Sequence, residues 1–107
     1  MPPMTEKVLI AGGGIGGLAS GLSLARAGAV VRVLERAPVL TEVGAGVQLG
    51  PNVTRILSAW DLSSALEAVA AFPANLHARS ALSGELLATL SLRDMPARYG
   101  APYVTLH

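Results

Sequence analysis

The chain has 107 residues, 51% of them apolar and 14% charged, with a formal net charge of +1 and a mean hydropathy of +0.51. That length bounds it to one domain, and its single, scattered Lys and Arg form no basic stripe for nucleic acid. With no cysteine, disulfides, thiolate nucleophiles and Cys-based zinc sites are excluded, and the composition fits a reducing compartment, the cytoplasm.

Residues 1–6 read as a short polar lead with two prolines. Residues 7–11, KVLIA, read as a strand whose continuous apolar run suits a parallel sheet covered on both faces. Residues 12–14 are a glycine turn. Residues 15–27 read as a helix, with Ile15, Leu18, Ala19, Leu22 and Ala25 recurring on one apolar face and Gly28 as its stop. Residues 29–35 read as a second strand. A crossover of this length implies that it runs parallel to the first.

The 18 uncharged residues 8–25, followed by Ala25-Arg26-Ala27, also raise a signal peptide. Six of them are glycine, placed where a phosphate turn needs them, so the nucleotide reading is preferred. No other stretch approaches membrane-spanning length.

Residues 36–43 read as a loop and residues 44–50, GAGVQLG, as a glycine-punctuated extended segment. Pro51 suits the first turn of a helix that continues over 52–60, where Trp60, Ile56 and Leu57 read as core and Asp61 as the break. Residues 62–71 read as a second short helix capped by Ser63 or Asp61. Beyond Pro73 the pattern changes. Residues 76–82 and 85–92, joined by Ser83-Gly84, read as an antiparallel hairpin, although 81–92 suits a helix by composition. Residues 93–102 read as a loop, and 103–107 as the start of a strand inside which the chain stops.

Gly12-Gly13-Gly14-Ile15-Gly16-Gly17 satisfies G-x-G-x-x-G. Gly12 allows the tight turn, Gly14 admits a diphosphate to the backbone, and Gly17 lets the helix approach the strands. The helix N-terminus offers N–H groups and partial positive charge to phosphate. The Gly-Lys-Ser/Thr ending of a P-loop is absent, which disfavours ATP hydrolysis. Glu35 lies 18 residues past Gly17, near the ~20-residue offset at which a carboxylate accepts from a ribose diol and repels a 2′-phosphate. These features suit NAD or the ADP half of FAD. The glycine-rich segment 44–52 departs from the further βα unit of an NAD dehydrogenase.

With these stretches in place, the sequence resembles the FAD-dependent aromatic-ring hydroxylases, single-component flavoprotein monooxygenases of the salicylate and hydroxybenzoate hydroxylase type. The resemblance rests on VLIAGGGIGGLASGLSLARAG, VLER, GAGVQLGPN and YGAPYVTLH, and covers nearly the whole chain. It implies an α/β fold: a Rossmann-like FAD-binding βαβ unit over 7–36, a glycine-rich segment and helices over 44–71, and a hairpin over 75–92. Together these make the N-terminal part of a FAD/NAD(P)-binding domain. It further implies that Gly12, Gly14, Ile15, Gly16 and Gly17 face the FAD diphosphate, that Glu35 binds the adenosine ribose with Arg36 by the adenine, and that Ala45, Gly46 and Val47 run along the flavin. NAD(P)H would be the external reductant, with O2 and a small aromatic compound as substrates. Some hydroxybenzoate hydroxylases carry a basic residue where Gly44 stands, so that subtype's handling of flavin and substrate does not transfer.

No general base stands out. His77 reads as an ordinary hairpin residue and His107 as structural, while Arg79, Arg93 and Arg98 read as surface charges. The family's next arginine, its later Gly-Asp segment and most of its substrate sheet lie beyond His107. The expectation is an incomplete domain that binds FAD weakly or not at all and is not catalytic by itself. The other readings are a dehydrogenase or different Rossmann flavoprotein, and a non-catalytic truncated remnant.

Overall fold

In the computed structural model, residues 6–41, 44 and 46–107 are described. They form two compact units divided between Glu42 and Val43. The first unit holds strand β1 (Lys7–Ala11), helix α1 (Ile15–Arg26) and strand β2 (Val30–Leu34). β1 and β2 pair in parallel, with Lys7 opposite Val30 and Ala11 opposite Leu34, as the crossover length requires. Gly28 at φ +95° follows α1, so the chain leaves the helix through a conformation that costs glycine nothing.

The face that α1 turns to the strands differs from the one the apolar periodicity suggests. Ile15 is 81% exposed, Leu18 49% and Leu22 37%, and Ala19 and Ala25 are exposed too. Gly17, Gly21 and Leu24 form the covered stripe instead. A Cβ on Gly21 would lie 3.3 Å from Val33 Cγ2 and 3.5 Å from both Ile10 Cδ1 and Val31 Cγ1. One on Gly17 would overlap the Gly12 carbonyl oxygen. Close approach of backbone to strand selects residues without side chains, and this outweighs the burial of the larger apolar residues, which are left outward. Nor are both strand faces covered. Burial alternates along β1 and β2, and Leu9 and Val30 are more than half exposed.

The second unit begins with strand β3 (Val47–Leu49), helix α2 (Pro51–Ala59) and the short helix α3 (Ser63–Glu67). Pro51 occupies the first turn of α2, as its missing N–H allows. Asp61 breaks the chain at φ +61°. α3 is shorter than the expected 62–71. Its N-cap is Leu62, and no side chain caps it, so neither Ser63 nor Asp61 has the capping role. Trp60 and Leu57 are half-buried and Ile56 is exposed, which makes this cluster a covered edge rather than a core.

Strands β4 (Asn75–Arg79) and β5 (Leu86–Ser91) form the expected antiparallel hairpin, with an irregularity between Ala78 and Arg79. The helical alternative over 81–92 is excluded. His77 Nδ1 lies 3.0 Å from Thr89 Oγ1 across it, and Arg79 donates to the Gly84 carbonyl at its turn. The expected loop 93–102 contains a further short helix, α4 (Met95–Tyr99), started by a proline and closed by Gly100 at φ +77°.

Strand β6 (Val104–Leu106) organises this unit. It pairs antiparallel with β3 along one edge and bridges Ala71 on the other, through N–H···O bonds of 2.8 and 2.9 Å. Val104 is fully buried. Thr54 of α2 is 2% exposed and donates its hydroxyl to the Pro102 carbonyl at 2.7 Å, tying α2 to the entry of β6. Tyr103 donates to Gln48 Oε1 at 2.7 Å. Among the described residues, no helix is long and apolar enough to cross a membrane.

Candidate nucleotide site

The carboxyl ends of β1 and β2 open onto a groove of about 490 Å³ lined by Ala11, Gly12, Leu34, Glu35 and Arg36. In open α/β sheets, ligands bind beyond the carboxyl ends of the strands. The chain turns here at Gly12, whose φ of +108° lies in the left-handed region that disfavours side chains. Gly12 donates its N–H to the Leu34 carbonyl at 2.7 Å, so the turn is anchored to the end of β2.

Gly14 is the N-cap of α1. It has an extended backbone, no side chain caps the helix, and no acidic residue stands in the first turn. The first helical bond runs from the Leu18 N–H to the Gly14 carbonyl. The N–H groups of Ile15, Gly16 and Gly17 are therefore the open donors that every helix start presents. A Cβ on Gly14 or Gly16 would meet nothing within 4 Å. Space is free at these two positions and filled at Gly17, so the motif divides into glycines that face an opening and one that faces protein. An uncapped helix start over open glycines fits a diphosphate in both charge and room.

Glu35 stands immediately after β2. Its Oε2 accepts from the Gly13 N–H at 2.7 Å and its Oε1 from the Ala37 N–H at 2.8 Å. These backbone N–H groups, Ala37 first and then Gly13, with a smaller contribution from Arg36, hold the carboxyl below the usual glutamate value. The group is an anion at neutral pH. Each oxygen keeps acceptor capacity beyond its one backbone bond, enough for the two hydroxyls of a ribose diol.

Gly12, Gly14, Ile15, Gly16, Gly17, Glu35 and Arg36 thus gather at one end of the first unit. Gly46 and Val47 lie in the second, where Val47 pairs with Leu106 and a Cβ on Gly46 would come 3.3 Å from the Leu106 carbonyl. Ala45 lies outside the described residues. The sequence reading missed the part played by Gly13, which is buried and bonded to Glu35. The available signal was a third consecutive glycine at a position where G-x-G-x-x-G asks for none.

The chain matches the family described as FAD binding domain over residues 5–100. It is 39% identical over 106 residues to a 3-hydroxybenzoate 6-hydroxylase of Polaromonas naphthalenivorans, covering 98% of this chain and 26% of that protein. A 6-hydroxynicotinate 3-monooxygenase of Bordetella bronchiseptica is 37% identical over 102 residues, or 94% of this chain and 27% of the relative. The chain therefore spans about a quarter of the length of these relatives. Among solved structures, the p-nitrophenol 4-monooxygenase of Pseudomonas putida superposes with a TM-score of 0.79 at 25% identity, over 99% of this chain and 26% of that one.

Proposed function

The chain belongs to the FAD binding domain family, and from that premise we propose that residues 7–36 hold the ADP half of FAD within an NAD(P)H-dependent flavoprotein monooxygenase acting on a small aromatic compound. One observation carries this reading: the open, uncapped start of α1 and the doubly anchored Glu35 carboxylate share one end of β1–β2. A diphosphate is taken by the N–H groups of Ile15, Gly16 and Gly17, with Gly14 leaving it room. The ribose diol donates to Glu35. The adenine lies along the Arg36 side of the groove.

FAD supplies the redox chemistry when bound, taking electrons from NAD(P)H and using O2 for hydroxylation. The residues of this chain bind and orient, and none is assigned a proton-transfer step. The hydroxylase and monooxygenase names of the relatives support an aromatic substrate. The test is titration of the chain with ADP-ribose and with its 2′-phosphorylated form, followed by calorimetry. Binding of the first with at least tenfold discrimination against the second is expected, since the carboxylate repels a phosphate at that hydroxyl. Equal affinity for both, or preference for the 2′-phosphorylated form, overturns the assignment.

A further inference from the structure

We propose that Glu35 is a positioning residue for the glycine turn itself, latching Gly13 to the end of β2, and that position 13 is glycine to let this latch close. The inference deepens the nucleotide reading above, on which its ribose half rests; the latch itself is a property of the ligand-free chain.

Three observations carry it. The first is the pair of bonds: Oε2 to the Gly13 N–H at 2.7 Å and Oε1 to the Ala37 N–H at 2.8 Å. The carboxylate thereby spans from the turn after β1 to the loop after β2. A glutamate serving only as a ribose acceptor needs neither bond. The second is space. A Cβ on Gly13 would lie 3.0 Å from Glu35 Cβ, 3.2 Å from Oε2 and 3.3 Å from Cγ, tighter than a side chain rooted at its own Cβ can easily yield. The third is conformation. Gly13 is not among the glycines with positive φ, so its backbone angles do not demand glycine; the Glu35 side chain does.

The consequence is a site whose acceptor is set before the nucleotide arrives. Both oxygens are fixed by main-chain donors, and the lone pairs that remain point into a geometry the chain has already established. The same bond holds the amide of Gly13 against the carboxylate and away from the phosphate. The phosphate donors are then those at the start of α1.

The test uses the ligand-free 15N-labelled chain. The amide shifts of Gly13 and Ala37 should follow one common acid titration with a midpoint below the ordinary glutamate value. Both responses should vanish in Glu35→Gln, whose amide does not titrate, and Gly13 amide exchange should quicken about tenfold or more in Glu35→Ala, which removes both acceptor oxygens. Gly13→Ala, which keeps the carboxylate, should weaken the titration seen at Ala37 by displacing Glu35. A Gly13 amide that ignores pH and is unchanged in Glu35→Ala overturns the latch, as does a Gly13→Ala chain whose Ala37 titration is untouched. ADP added to the same sample separates the two readings. A latch without ADP-induced shifts keeps this inference and removes the ribose role, whereas ADP-induced shifts without a latch do the reverse.

Discussion

Gly17→Ala places a methyl group where α1 meets the turn, overlapping the Gly12 carbonyl oxygen and standing 3.5 Å from Ile10 Cγ2. The obstacle is backbone, so no rotamer change relieves it; the helix must retreat from β1. Overpacking of this kind costs about 1–3 kcal/mol, and its upper end applies where the neighbour is main chain. The gain from replacing a helical glycine by alanine is about 1 kcal/mol. The net loss is then about 2 kcal/mol, a fall in Tm of roughly 10 °C for a chain of this size. Gly16→Ala is the matched control. It lies one residue earlier in the same turn, meets nothing within 4 Å, and should keep the helix gain, raising Tm by a few degrees. Thermal unfolding followed by far-UV circular dichroism reads both. If Gly17→Ala melts at or above the temperature of Gly16→Ala, the contact between α1 and the turn is not what fixes glycine at position 17.

Gly14→Ala should leave stability within about 1 kcal/mol, since its backbone is extended and its surroundings are open, yet weaken ADP binding at least tenfold by filling the diphosphate space; calorimetry and a melting curve on one sample separate the two effects. Thr54→Val removes the donor to the half-buried Pro102 carbonyl and should lower stability by about 1–2 kcal/mol in urea unfolding, with no change in ADP affinity. The folded-state pKa of Glu35 is lowered, so its contribution is complete above the ordinary glutamate value and is lost as pH falls through the folded value. The urea-midpoint gap between wild type and Glu35→Gln should therefore be constant from neutral pH down to the ordinary carboxylate range and narrow below it. A gap that persists unchanged into strong acid contradicts that sign.

The first half of the fold was legible because each boundary carries its own chemistry. Lys7–Ala11 stands out as an apolar run closed by glycines, and α1 runs from the glycine turn to a glycine stop at φ +95°. Pro51 and Asp61 marked both ends of α2. What was not legible depended on neighbours. Ser63 and Asp61 have capping side chains, but the N-cap of α3 is Leu62, with no side-chain cap, so residue type alone misjudged the cap. α4 was hidden because Pro96 and Gly100 read as loop punctuation. Here they open and close one turn of helix, proline in the first turn and glycine at the left-handed exit, positions that suit both residues.

The site shows the same division in a sharper form. Periodicity counts apolar side chains, so it marked Ile15, Leu18 and Leu22 as the apolar face of α1, and these stand exposed. The helix meets the strands through Gly17 and Gly21, which periodicity scores as blanks. A fingerprint counts glycines by spacing, so it found Gly12, Gly14 and Gly17 but treated Gly13 and Gly16 alike, as free positions. The structure separates them by what a methyl group would meet: nothing at Gly14 and Gly16, the Glu35 side chain at Gly13, backbone at Gly17. Gly12, equally open and lining the groove, joins this pair in leaving room for a ligand. The filled pair belongs to the protein's own packing, and the Gly13–Glu35 contact joins the turn to the one acidic group the nucleotide needs. Five glycines of one motif thus answer to three demands: a left-handed turn at Gly12, open space at Gly14 and Gly16, and close approach at Gly13 and Gly17. Spacing alone carries the first and part of the last.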